Sequence, residues 1–476
     1  MRFLLFLTLA LTTFSVPAAT HKPKPQARPR SKTATKSSAR SKSTGKTRKP
    51  KHVSTKGPQA ASASTAPSLH ATPDLGPLTG PGGSTGSGVP EQLAQGDSAL
   101  SLTSALAPFY AALQQRADEP GNTVRVLQFG DSHTAADLFT GQLRARFQAR
   151  FGDGGIGFSY PGHPFAGFRI FGSAHGQSSG WTTLGTHFTD LGDTLLGLGG
   201  IALLTSHPND SISLDAPCIT LDVHYLQQPG GGSLAFADNG DALSTLATDG
   251  TNGPGTFHYD CPPGSHHFTL TTLDAAPVRL LGTTSLQPGI TWESLGINGA
   301  EAPLILRWSP TLFDPYLTAA LPQLIVLAYG TNEAAARLTA DTYREVFARL
   351  IDTLHRDAPA AAILVLGPGD RSLGSSSATG KGRRRITRRS WTPFAGTTRI
   401  LEAQRDVCAT HNCAFWDWRA RQGGLGSMNR WVAAGYAQPD HTHLTGTGYR
   451  ALADALAADL LSGYDAWQKR IEPSTQ

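Results

Sequence analysis

Three short segments carry side chains that could do chemistry together. Gly130-Asp131-Ser132-His133-Thr134 offers a hydroxyl, and a serine becomes a strong nucleophile when an adjacent base takes its proton. Asp440-His441-Thr442-His443 offers two imidazoles and a carboxylate. An Asp three residues before a His can hold the ring in the tautomer that accepts a proton from serine. Gly330-Thr331-Asn332-Glu333 offers an amide, whose N–H can donate to a developing oxyanion. Each segment alone reads as a turn, since Gly, Asp, Asn and Ser are turn residues. Together they supply a nucleophile, a base, an orienting acid and an oxyanion donor.

The elements that must position these groups are legible in the apolar pattern. Thr123–Phe129 is a β-branched and apolar run that predicts a buried strand ending at Gly130. Leu324–Tyr329 predicts a second strand ending at Gly330, and Ala361–Leu366 a third ending at Gly367. In a parallel sheet, the carboxyl ends of strands face the ligand. Helical spacing joins Leu102, Leu106, Phe109 and Leu113, and then Phe139, Leu143 and Phe147. It recurs through Tyr343, Phe347, Leu350, Ile351 and Leu354, and through Tyr449, Leu452, Leu456 and Leu460. Arg399–Thr410 reads as helix and Ala414–Trp418 as strand. Strands alternating with helices predict an α/β fold with a parallel sheet covered on both faces. From Phe158 to Pro288 the rhythm changes to short alternating runs, such as Ile219–Tyr225 and His267–Thr271, between Gly-rich turns. That pattern predicts an inserted β-sandwich.

The chain has 476 residues, with 52 Gly and 32 Pro, and only 16% are charged. Its net charge of +6 describes no single part. Thirteen Lys and Arg fall between Lys22 and Lys56, and the first acid is Asp74. Beyond this arm, and setting Arg2 aside, 27 bases face all 35 acids. A basic arm before an acidic body argues against nucleic-acid binding by the body. Arg2, the apolar run Phe3–Val16 and then Pro17-Ala18-Ala19 predict a cleaved signal peptide over residues 1–19. The run is shorter than the about 20 apolar residues that span a bilayer. No later segment is long and apolar enough to span, so no transmembrane helix is expected in the mature chain. Residues 20–95 read as a disordered linker, either a spacer or a tether to an anionic wall or membrane surface. The remaining divisions are 96–158 and 289–476 for the α/β domain, with 159–288 as the insertion.

Cys218, Cys261, Cys408 and Cys413 permit two disulfides in an exported chain, and proximity suggests 218–261 and 408–413. Their spacing is not that of a metal site. Gly152-Asp153-Gly154-Gly155-Ile156-Gly157 matches a dinucleotide pattern but follows a helix, where that pattern has no meaning. The run Arg383, Arg384, Arg385, Arg388, Arg389 falls in a long loop after the third strand. It reads as a solvated loop or as an anion contact. Trp181, Trp292, Trp416, Trp418 and Trp431 read as core or as sugar-stacking platforms.

Gly130-Asp131-Ser132, Gly330-Thr331-Asn332 and Asp440-x-x-His443 resemble the first, third and fifth sequence blocks of SGNH (GDSL-type) hydrolases. Leu295-Gly296-Ile297-Asn298-Gly299-Ala300 resembles the second block. The resemblance implies a three-layer α/β/α, flavodoxin-like fold. It implies Ser132 as nucleophile, His443 as base and Asp440 as its orienting acid. The oxyanion hole would be the Ser132 N–H, the Gly299 N–H and the Asn332 side chain, with Gly296 as fallback. His441 would be a bystander or a substrate contact. Glu333 stands where the family usually has Asp, and His133 where Leu is common. The GDSHT form with a β-rich insertion is similar to periplasmic peptidoglycan O-acetylesterases. The insertion would be a carbohydrate-binding module or a structural lid. The expected function is therefore an exported, cofactor-free and metal-free serine esterase acting on an acylated glycan. The same groups would serve a glycan O-acyltransferase, and a non-catalytic wall-binding scaffold is the other alternative.

Overall fold

Alternation divides the residues of the Thr123–Gly130 strand. Val124 and Val126 enter one apolar layer, and Leu127 and Phe129 enter another. A strand apolar on both faces is stable only when both are covered. The computed structural model describes residues 93, 99–186, 191–336, 338–379 and 386–471. The chain divides into two units, Met1–Ala66 and Pro67–Gln476, and every described residue belongs to the second. The expected signal peptide, the linker except Leu93, and Arg383–Arg385 lie outside the described residues.

Among the described residues, six strands form the central sheet. Their order is Leu100–Ser101, Ala414–Trp416, Ala362–Leu366, Leu324–Ala328, Thr123–Gly130 and Gly289–Gly296. The last five are parallel, and Leu100–Ser101 is an antiparallel edge. Helices Pro310–Ala320, Ala340–Asp357 and Gly396–Thr410 cover the Leu127 and Phe129 face. Helices Ala107–Asp118, Thr140–Phe151 and Gly446–Ile471 cover the Val124 and Val126 face. This is the three-layer α/β architecture the alternation predicts. No helix among the described residues is long and apolar enough to cross a membrane.

The β-rich insertion is a nine-stranded antiparallel sheet domain, running in sequence from Gly157–Ser159 to Val278–Leu286. Its longest strands, Ser211–Gln227 and Gly253–Thr272, pair along most of their length with a register shift between Asp260 and Gly264. The expected Cys218–Cys261 bridge is corrected here: Cys261 sits at that shift with its Sγ 3.3 Å from that of Cys218, close but not bonded, both thiols free and buried. Cys408 and Cys413 are joined by a disulfide.

Glu293 couples the two sheets. It is fully buried in the Gly289–Gly296 strand, makes a two-pronged ion pair with Arg125, and accepts the Phe158 N–H at 2.8 Å. The glycine-rich segment before it is a packing device. A Cβ at Gly154 would stand 2.6 Å from the Ile290 carbonyl carbon, so only glycine allows this approach.

Two further expectations need correction. The basic run does not lie wholly in a loop: Arg388 and Arg389 belong to the strand Ile386–Pro393, paired antiparallel with Ser372–Thr379. With no apolar face to bury, these strands leave no hydrophobic alternation to read. Of the two readings of the five tryptophans, core or sugar platform, burial favours the core: all five are buried, the most exposed being Trp181 at 7%. Trp418, moreover, starts the short helix Trp418–Arg421, with Asp417 as its cap.

Candidate functional site

Sheet register brings the first, second and third sequence blocks together. Gly130 stands beside Ala328 on one neighbouring strand and Gly296 on the other. The segments that follow therefore leave the same end of the sheet. They carry Ser132, Asn332 and Gly299. The turn after Gly130 is closed by Thr134 and Ala135 N–H groups donating to the Asp131 carbonyl. It is anchored to the Gly289–Gly296 strand by the Ser294 hydroxyl on the Thr134 carbonyl at 2.9 Å. Further along, Asp137 accepts from Thr140, Phe171 and Arg144, and Arg144 also donates to the Trp292 carbonyl. This buried ion pair ties the serine turn to the following helix.

The Asp440–His443 turn precedes the helix Gly446–Ile471. Thr442 and His443 N–H groups donate to Asp440 Oδ1 at 2.9 and 3.0 Å. Asp440 Oδ2 lies 2.7 Å from His443 Nδ1, and His443 Nε2 lies 2.8 Å from Ser132 Oγ. With the Nδ1 proton shared with Asp440, Nε2 is the acceptor for the serine hydroxyl. Partial burial alone would raise the Asp440 carboxyl. The His443 ring and the two N–H groups outweigh it and hold the pKa below its ordinary value. Asp440 and His443 are about half exposed, so the site is open.

Among the described residues, no acceptor meets the N–H of Ser132 or Gly299. Gly299 has φ +77° and open space beside it, a conformation that favours glycine. Gly296, by contrast, packs against the Ala135 backbone, 2.3 Å from where a Cβ would stand. Asn332 Nδ2 lies 2.9 Å from the Ala300 carbonyl and 3.3 Å from Asp131 Oδ2. Its amide thus points between the second block and the serine turn.

Three buried titratable groups surround this arrangement. Burial pushes the Asp131 pKa up to about 7, against the His133 N–H and the charge of His443. Burial, with His443 beside it, pushes His133 down to about 3. His133 is therefore neutral, bonded through Nδ1 to the Tyr449 hydroxyl at 2.9 Å, with its ring 5.2 Å from that of His443. Burial pushes Glu333 to about 8, and its Oε1 accepts the Ala302 N–H at 2.7 Å. It braces the second block from beneath.

Of the two readings of His441, bystander or substrate contact, its surroundings favour the bystander. Its side chain is buried, stacked on Trp391 and bonded to Asn429 at 2.8 Å. Sequence spacing held no sign of Trp391, which lies 50 residues away. A larger cavity, lined by Arg125, Asp222, His224 and Tyr316, lies at the other end of the Thr123–Gly130 strand from Ser132.

Residues 251–451 match the model of the GDSL-like lipase/acylhydrolase family. A solved peptidoglycan O-acetylesterase is 27% identical, with a TM-score of 0.63 over 78% of this chain and 99% of that one. These two matches support an SGNH-type hydrolase. On these findings the chain is an ester hydrolase; its α/β sheet is that of such a fold, and it carries an added antiparallel domain. Two family two carbohydrate esterases also align with this chain. One, from Clostridium thermocellum, is 13% identical over 60% of this chain and 98% of that one, TM-score 0.27. The other, from Cellvibrio japonicus, is 12% identical over 62% of this chain and 99% of that one, TM-score 0.25. A search of curated proteins returns no match.

Proposed function

We propose that the protein is an exported serine esterase that removes O-acetyl groups from a cell-wall or extracellular polysaccharide. The observation that carries this reading is the chain of contacts from Ser132 Oγ to His443 Nε2, 2.8 Å, and from His443 Nδ1 to Asp440 Oδ2, 2.7 Å. Ser132 attacks the ester carbonyl while His443 takes its proton. Asp440, ionised because its pKa is held low, stabilises the imidazolium. The unpaired Ser132 and Gly299 N–H groups and the Asn332 amide face the developing oxyanion; one such donor is typically worth about 3–4 kcal/mol. To donate, Asn332 turns one N–H from Asp131, the longer of its two contacts. His443 then protonates the departing sugar oxygen. Water, deprotonated by His443, releases acetate from the acyl-enzyme.

The half-exposed acid and base suit a small acyl group on a large polymer. Likeness to a peptidoglycan O-acetylesterase supports a glycan substrate, and the signal-like residues 1–19 support export. Residues 159–288 are proposed as a domain inserted between 96–158 and 289–476. The test is hydrolysis of a chromogenic acetyl ester by the purified chain, Ser132→Ala and His443→Ala. Each variant should lose at least about 10³-fold in kcat. Comparable turnover by all three would end the serine-esterase reading.

A further inference from the structure

After Ala362–Leu366 the chain leaves the sheet at the Ser132 end and forms a two-stranded ribbon, Ser372–Thr379 against Ile386–Pro393. An isolated two-stranded ribbon is marginal in water, and this one is fastened at its base. Trp391 stacks on His441 with centroids 3.7 Å apart and planes at 17°. The Ser372 N–H donates to the His441 carbonyl at 3.0 Å, and Arg371 donates to the Thr331 carbonyl at 2.9 Å. His441 shares a turn with His443, and Thr331 precedes Asn332. The ribbon is thus joined to both segments that carry the proposed chemistry.

Beyond its base the ribbon is exposed. Arg389 stands opposite Ser376 and Arg388 opposite Ser377. Cross-strand pairs in a sheet gain from opposite charge, yet here each arginine is paired in register with a serine. No Asp or Glu occurs from Arg371 to Leu401. Neither arginine has an ion-pair partner among the described residues. The ribbon therefore presents N–H and O–H donors without an anion of its own. Arg389 shares a face with Trp391, about 7 Å along the strand.

We propose that this ribbon is a docking arm for an anionic glycan. Arg389 on the Trp391 face and Arg388 on the opposite face of the same strand each hold a carboxylate of the polymer while one of its acetyl esters lies at Ser132. The inference rests on the esterase reading and names its substrate class. A bound polyanion lies across the Ser132 end of the sheet, so carboxylate and ester belong to one molecule. A lipid surface is disfavoured because, beyond Leu373, the described exposed side chains of the ribbon are Ser, Ala, Thr and Arg. Such side chains give hydrocarbon nothing to take up.

The test compares the full chain with Arg388→Ala/Arg389→Ala on three substrates. They are a chromogenic acetyl ester, neutral O-acetylated mannan, and O-acetylated peptidoglycan, whose stem peptides carry carboxylates. At low salt an exposed ion pair contributes up to about fivefold. KM for peptidoglycan should rise up to about 25-fold, with kcat and the other two substrates unchanged. The difference should vanish in roughly 0.5 M salt, and Arg388→Lys/Arg389→Lys should keep most of the affinity. An unchanged KM for peptidoglycan at low salt overturns the proposal, as does an equal loss on mannan. Absence of wild-type turnover on peptidoglycan, with the chromogenic ester cleaved, also overturns it. So does binding to phosphatidylglycerol vesicles that depends on the two arginines while KM for peptidoglycan does not. Failure of the wild type on the chromogenic ester overturns the esterase reading instead.

Discussion

Asp131→Asn should flatten the dependence of stability on pH between 4 and 7. Asp131 is only 1% exposed, in the turn before Ser132. Burial raises its pKa from 3.8 to about 7, opposed by the His133 N–H, His443 and Arg371. The unfolded chain releases this proton near pH 4 and the folded chain near pH 7, so between the two folding takes up a proton. The stabilisation is complete below pH 4 and is lost as pH rises through 7. At about 1.36 kcal/mol per pKa unit, the separation amounts to roughly 4 kcal/mol. Asparagine binds no proton, so subtracting the variant's stability from the wild type's at each pH isolates this carboxyl from the other titrating groups. Glu333, raised in part by Asp131, adds in the same direction. Urea unfolding followed by tryptophan fluorescence at unit steps from pH 4 to 8 supplies the two stabilities. The wild-type advantage should fall by several kcal/mol across that range. A difference constant to within about 0.5 kcal/mol, near the error of extrapolation, would show that the carboxyl is not buried uncompensated and would refute the reasoning.

Asn332→Ala should lower kcat on a chromogenic acetyl ester about 10²- to 10³-fold with little change in KM; a loss under tenfold would remove the amide from the oxyanion hole. Arg144→Met leaves the buried Asp137 carboxylate without its cation. It should cost about 3–5 kcal/mol in urea unfolding, and Asp137→Asn in the same chain should restore part of that.

Most of the sheet was legible because its strands are continuous apolar runs ending in glycine, as at Gly130 and Gly330. The edge strand Gly289–Gly296 was not, because Glu293 lies at its centre and reads as exposed. It is buried only because Arg125, far away in sequence, meets it. The helix Pro310–Ala320 was masked by Pro315, which normally breaks helices. The ribbon carrying Arg388 and Arg389 was missed because nothing in it packs against a core.

The sequence by itself determined which chemical groups this chain could bring to an ester: one serine, an Asp and His three residues apart, and an asparagine at a strand end. These are local facts of residue type and spacing. Only the tertiary structure decided their neighbours. Parallel register aligned Gly296, Gly130 and Ala328, so that three distant segments leave the sheet together. Packing around that point raised Asp131, kept His133 neutral and turned His441 from the site to Trp391. Such effects depend on burial and on contacts between residues remote in sequence, which no local pattern encodes.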